Sequence, residues 1–277
     1  MLQFTVNDKL CTRCGLCAAD CPARIITQAG KALPAIRPDQ EAECLQCQHC
    51  LAICPAAAIS ILGRKPEDSL PLAGNSFPRL DQMTLFVRGR RSIRQYKDEN
   101  VDPVLIKQLL AALANVPTGV NNRTLTFTVI DDKAVMHRLR KKVLAALAAA
   151  GLAGRIPERF KYLQEAPPAY DEHKVDIIFR GAPHALVVAA PADAPCPGED
   201  VALTLAYFDL LAQSARLGTV WWGMLKLFLE VLPDMKPLFG LAPRHRHYYG
   251  MLFGLPAIHY PRTVQRDDAA TVRRVTL

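Results

Sequence analysis

No run of 18 uncharged apolar residues occurs in this 277-residue chain, so no membrane-spanning helix is expected. The segment from Met1 to Lys9 lacks the apolar core of a secretory leader, which points to a reducing cytoplasm. No Gly-x-Gly-x-x-Gly follows a strand-like run, which argues against a Rossmann dinucleotide site. The net charge is +8, but there is no long basic tract. Arginines recur in short groups instead: Arg88, Arg90, Arg91 and Arg94; Arg244 and Arg246; Arg262 and Arg266; Arg273 and Arg274. That distribution argues against duplex nucleic acid and suits a phosphate-bearing cofactor or an acidic partner. Seven histidines are scattered, and none stands at metal-ligand spacing from cysteine or carboxylate. Apolar residues make up 50% of the chain, so it is globular, with length for about two domains.

What the chain has is cysteine, in a pattern. Eight of nine fall in two copies of C-x2-C-x2-C-x3-C-P: Cys11, Cys14, Cys17, Cys21 and Pro22, then Cys44, Cys47, Cys50, Cys54 and Pro55. This is the run that holds iron–sulfur clusters in two-cluster ferredoxins. Three cysteines at three-residue intervals wrap three corners of a cubane. The proline after the fourth stops the chain coiling back, so the fourth reaches the other cluster. The expected sets are Cys11, Cys14, Cys17 with Cys54, and Cys44, Cys47, Cys50 with Cys21. A shift of 33 positions maps one copy on the other, including Pro22, Ala23 and Ile26 on Pro55, Ala56 and Ile59.

Zinc is the competing metal, but its hooks do not carry a third cysteine and a Cys-Pro. A disulfide framework would need an oxidising compartment. Cys196, in Ala194-Pro-Cys-Pro-Gly198, reads as an ordinary loop thiol. Residues 1–62 form the cluster module and balance five basic against five acidic side chains. The whole positive excess lies in residues 63–277.

Residues 63–82, with three prolines and two glycines, read as a semi-extended linker. Asp102-Pro103 opens a helix with an apolar stripe through Leu113. Leu125–Ile130 alternates as a strand, and residues 133–150 form a helix. Residues 151–181 read as irregular. Ala185–Ala190 is a buried strand. A long apolar helix, capped by Asp200 and closed by Gly218, runs to about Arg216 and is apolar enough to pack on a partner subunit. Residues 224–239 read as a helix broken by Pro233 and Pro237, and Tyr248–Leu255 as a last strand. Helices and strands are mixed without βαβ alternation, which favours an α+β fold.

Arg90-Arg91-Ser92-Ile93-Arg94 places three guanidiniums and a hydroxyl within five residues, a pattern suited to gripping phosphate. A charged helix end is the bland alternative. Val116-Pro-Thr-Gly-Val-Asn-Asn-Arg123, Leu217-Gly-Thr-Val-Trp-Trp-Gly223 and Phe253-Gly-Leu-Pro256 follow in that order, with Arg262 and Arg266 beyond. Together with Phe179-Arg-Gly-Ala-Pro-His184, these resemble the nitroreductase flavoproteins. The whole chain resembles the branch in which a two-[4Fe-4S] ferredoxin module precedes an FMN-binding domain.

The resemblance implies a mainly antiparallel central sheet flanked by helices over residues 83–277. It implies that Arg90, Arg91, Ser92 and Arg94 hold the FMN phosphate and ribityl chain, and that Arg262 and Arg266 complete the clamp. Pro117, Thr118, Gly119 and Asn121 would reach the flavin from the partner of a homodimer, with FMN at the interface. The backbone around Trp221, Trp222 and Gly223 would approach the ring, and core packing is the alternative for one of the two indoles. The chain departs from the family at Asn122-Arg123-Thr124, where Gln or Ser and then Pro is common, and at the bulky Trp pair.

No catalytic side chain is expected, because the flavin performs the electron step. The expected function is an FMN-dependent iron–sulfur oxidoreductase. An external one-electron donor, a ferredoxin or flavodoxin, feeds clusters, then FMN, then a small electrophile such as a nitroaromatic or a quinone. The alternative is a non-enzymatic electron-carrier subunit of a larger complex.

Overall fold

In a computed structural model, every residue is described except 1, 73, 75 and 267–269. Two positions of the segment read as a linker therefore lie outside the described residues. Contacts divide the chain into two compact units. One is Met1–Pro78 with Val120–Asn122, and the other is Arg79–Gly119 with Arg123–Leu277.

The first unit is built from very short elements: β1 (Thr5–Val6), α1 (Leu16–Ala19), β2 (Ile26–Thr27), β3 (Ala35–Ile36), α2 (His49–Ala52) and β4 (Ile59–Ser60). Strand β1 pairs antiparallel with β4, and β2 with β3. The 33-residue repeat is a repeat of backbone as well as of residue type. Arg13 and Gln46 have φ of 57° and 52°, Gly15 and Gln48 of 76° and 61°, and Arg24 and Ala57 of 54° and 49°. Five of these six left-handed positions carry a Cβ, a conformation that only strong local constraints maintain. The turns close with matched hydrogen bonds, Ala18 N–H to Gly15 O and Leu51 N–H to Gln48 O, both 3.1 Å. The core is small: Leu2, Cys17, Ile25, Ile26, Cys50, Leu51, Ile59 and Ile61.

The second unit contains α3 (Leu80–Gly89), α4 (Pro103–Ala112), β5 (Thr126–Ile130), α5 (Lys133–Leu152), α6 (Ala166–His173), β6 (His184–Pro191), α7 (Pro197–Ser214), β7 (Gly218–Trp221), α8 (Gly223–Val231) and β8 (His245–Gly254). Its sheet runs β5-β6-β8-β7, and each neighbouring pair is antiparallel. Strand β6 is buried on both faces, and its side chains alternate between two cores. Ala185, Val187 and Ala189 pack with residues of α5 and α8. Leu186, Val188 and Ala190 pack with residues of α4 and α7. The α+β fold with an antiparallel sheet between helices is thus the one expected.

Local signals held at α4, where Asp102 caps the helix by accepting from Val104 N–H at 2.8 Å and Pro103 opens it. Three elements went unforeseen: α3, α6 and β7. Two details are corrected. Helix α7 starts at Pro197 after Cys196, so Asp200 is not its cap; it lies buried in the first turn and accepts from Gly119 N–H at 2.9 Å. The helix ends at Ser214, and Arg216, at φ 60°, takes the left-handed position beyond it. Gly218 instead begins β7, where a Cβ would lie 2.7 Å from Ile93 Cγ1, so only glycine admits the neighbouring segment.

Candidate functional site

The cysteine runs converge as the spacing requires. Burial pushes the Cys17 thiol up, and the charges of Cys54 and Cys14 push the same way. Burial pushes Cys50 up to about 11, with Cys47, Cys44 and Cys21 adding to it. Cys21 therefore stands with Cys44, Cys47 and Cys50, and Cys54 stands near Cys17 and Cys14. Cys21, Cys44, Cys47 and Cys50 line one cavity whose other walls include Ile25, Ile26, Ile36 and Ile61. All nine cysteines are free thiols. Among the described residues, no three His, Cys, Asp or Glu side chains crowd closely enough to hold one metal ion. The donors surround a space instead of a point. Backbone amides are aimed at the sulfurs: Ala58 N–H lies 3.2 Å from Cys54 Sγ, and Gln46 N–H lies 3.4 Å from Cys44 Sγ. Such bonds favour a thiolate, and they tune a cluster held by it. The residues present fit two cubane clusters.

In the second unit, the arginine run lies along β7. Ile93 N–H donates to Thr219 O at 2.7 Å, and Ser92 sits opposite Thr219 in a parallel bridge. Arg90, at the end of α3, reaches the buried Asp209 of α7 at 3.4 Å, and Asp209 also accepts from the Thr219 hydroxyl. Arg91 donates to Arg88 O, while its Nε–H is buried without an acceptor. Arg94 Nη1 lies 3.3 Å from Ser92 O. Tyr96 is partly buried, which pushes its phenol up, and its hydroxyl donates to Ile93 O at 2.8 Å.

Beyond the end of β7 lies a cavity of about 220 Å³. Arg94, Arg180, Trp221, Gly223 and Met224 line it, with Ile178 and Leu227 as apolar walls and no carboxylate in the lining. Gly223 and Met224, the first residues of α8, are in the lining, so the cavity is electropositive from two guanidiniums and a helix start. Together with the unmatched Arg91 Nε–H, that chemistry fits an anionic cofactor such as FMN.

Arg180 is the residue that sequence reasoning missed. Its loop is tied to one carboxylate. Asp176 accepts from Phe179 N–H at 2.7 Å and Gly181 N–H at 3.0 Å. Asp176 is in turn paired at 2.7 Å with Arg140, and both side chains are buried. Arg140 also donates to Ala182 O at 3.0 Å and lies over the Phe179 ring. The available signal was Phe179–His184, singled out as a segment but not resolved into a site residue.

The remaining site residues fall differently. Trp222 is 1% exposed, packs on Phe179, Phe228 and Phe239, and donates its indole N–H to Ile178 O at 2.9 Å. Its ring is core, while Trp221 is half-buried against Tyr249. Thr118 Oγ1 accepts from Arg123 N–H at 3.1 Å, and a Cβ on Gly119 would lie 2.8 Å from Cys196 Sγ. Pro117 is exposed. Asn121, at φ 55°, belongs with the first unit, where its amide donates to Leu45 O at 2.7 Å. Arg262 and Arg266 are exposed and do not line the cavity.

Among solved structures, a nitroreductase with bound FMN from Desulfitobacterium hafniense DCB-2 is 20% identical at a TM-score of 0.55, covering 71% of this chain and 100% of that one. A nitroreductase with bound FMN from Bacteroides fragilis NCTC 9343 is 20% identical at 0.54, covering 68% and 97%. An FMN-dependent nitroreductase from Clostridium difficile R20291 is 17% identical at 0.50, covering 71% and 100%. At such identities the likeness is one of fold. No curated protein matches the chain. A family model for a 4Fe-4S dicluster domain matches residues 10–59. The Nitroreductase family model matches residues 87–255, more than half of the 277, and the chain belongs to the nitroreductase family.

Proposed function

We propose that this chain is an iron–sulfur flavin oxidoreductase: one-electron equivalents enter through two [4Fe-4S] clusters and leave as pairs from FMN to a small electrophile. The observation that carries this reading is the union, in one chain, of two crossed cysteine sets with an electropositive cavity on a nitroreductase fold. FMN, when bound, supplies the conversion between one- and two-electron chemistry. The protein's own work is to bind, orient and bias. Arg90, Arg91, Ser92 and Arg94 hold the phosphate and ribityl chain. The backbone at Gly223 approaches the ring, the Trp222 N–H being spent on Gly250 O at 2.8 Å. The apolar walls at Ile178 and Leu227 keep water from its edge. Pro117, Thr118, Gly119 and Asn121, with Arg262 and Arg266, complete the site in a homodimer. Nitroaromatics, quinones and activated alkenes or halides are the acceptor class, a ferredoxin or flavodoxin is the donor class, and the cytoplasm is the compartment.

The test is anaerobic stopped-flow with a reduced ferredoxin, on protein whose iron, sulfide and FMN have been counted per chain. Replacing Cys14 and Cys47 with Ala is expected to abolish flavin reduction by the protein donor. Unchanged flavin reduction in that variant would remove the clusters from the path.

The phosphate assignment has its own test. Arg90→Ala is expected to weaken FMN retention about 10- to 100-fold, the worth of a hydrogen bond to a charged group at about 1.5–3 kcal/mol. Fluorescence of released flavin measures it, with circular dichroism to check the fold, because Asp209 keeps the Thr219 hydroxyl as a partner. Retention equal to that of the parent protein takes Arg90 out of the phosphate site.

A further inference from the structure

We infer that Arg180 is the charge-compensating residue of the flavin site, setting how readily the bound ring accepts an electron pair. The inference rests on FMN occupying the cavity beside β7. Three observations carry it. First, Arg180 lines that cavity, and no carboxylate there offsets its charge. Second, its φ is 55°, a left-handed backbone that a long side chain rarely adopts without being made to. Twelve other described side-chain-bearing residues share this region, so the φ counts here only together with the ties that hold it.

Third, the maintenance is visible. The amides on either side of Arg180, those of Phe179 and Gly181, are both bound by the Asp176 carboxylate, and Arg180 N–H itself donates to Asp176 O at 3.1 Å. Arg140 neutralises that carboxylate. The Asp176 carboxylate is thereby consumed, and Arg180 lines a cavity that has no carboxylate in its lining. A loop that needs only to connect α6 to β6 requires none of this.

The chemistry follows from charge. Two electrons and one proton added to the ring leave it one negative charge richer than before. A fixed cation in a partly closed, apolar-walled cavity stabilises that form over the oxidised one. The oxidised ring gains much less from Arg180, so the residue shifts the equilibrium more than it holds the cofactor.

The experiment is an anaerobic titration of the FMN-loaded full-length protein with dithionite in the presence of a reference dye, read at the flavin band. Arg180→Met is expected to keep its FMN and to lower the equilibrium constant for two-electron reduction about 10- to 100-fold, or about 30–60 mV. Arg180→Lys is expected to recover most of that loss. If the parent protein retains FMN and Arg180→Met titrates at the same potential, the inference fails while the proposed function stands. Loss of FMN from Arg180→Met alone would also overturn it, making the residue an anchor. A parent protein that retains no FMN after reconstitution sinks both readings together.

Discussion

Removing iron from this protein is expected to unfold its first unit and to leave its second folded. The first unit has eight buried residues in its core, and two of them are cysteines. Each of its strands spans two residues, too short for a hairpin to be stable alone in water. Domains of this size need disulfides or metal as staples, and this one has no disulfide among its described residues. Its repeated left-handed turns add strain of order 1–3 kcal/mol at each side-chain-bearing position. Cluster binding by the eight thiolates would offset these costs, since metal binding of this kind is folding free energy. Hydrogen exchange read by mass spectrometry checks it. After anaerobic chelation, peptides covering 11–27 and 44–60 should exchange fully. Peptides covering β6 and β8 should keep the protection of the parent protein. Retained protection at 11–27 would show that the unit stands on its small core alone.

What could be read in the sequence followed how directly a residue's role depends on its neighbours in the chain. The dicluster module was legible because its eight cysteines repeat one local spacing, C-x2-C-x2-C-x3-C-P. Strand β6 was legible because an unbroken run from Ala185 to Ala190 has few other uses than a doubly buried strand. Helix α3 was not: Leu80, Leu85 and Val87 are exposed, so its apolar spacing answers to no core in this chain, and the prolines before it suggested a linker. Strand β7 is four residues long and was absorbed into the Leu217–Gly223 motif. Gly218 looked like a helix stop because glycine usually serves there, but its absent side chain makes room for Ile93. Asp200 looked like a cap for the same statistical reason. Of the Trp pair, burial separates the two rings: Trp221 ends β7 beside one core, and Trp222, before α8, fills the other. Arg180 could not have been recognised from its neighbours alone. Its place depends on Asp176 four residues earlier and on Arg140 thirty-six residues before that, joined only by the fold.

That dependence makes Arg140→Leu the second large expected effect. The substitution leaves Asp176 buried with no cation beside it, and breaking such a pair costs about 3–5 kcal/mol. The Ala182 carbonyl loses its donor at the same time. For a unit of this size the melting temperature should fall by roughly 10 °C, since each kcal/mol moves it about 2–4 °C. Near-ultraviolet circular dichroism of Trp222, whose indole is bound to Ile178 O in the same loop, reports the transition. A second comparison separates charge from packing. Asp176→Asn introduced into Arg140→Leu removes the orphaned charge while keeping an oxygen for one loop amide. The double variant should therefore be more stable than Arg140→Leu alone by about 1 kcal/mol or more, the size of coupling expected between residues in one network. If the two losses simply add, Arg140 and Asp176 contribute independently, and an orphaned charge is not what Arg140→Leu costs. Should the rescue occur, the Asp176 turn owes its shape to hydrogen bonds that survive neutralisation, and the cost in Arg140→Leu is that of the buried charge itself.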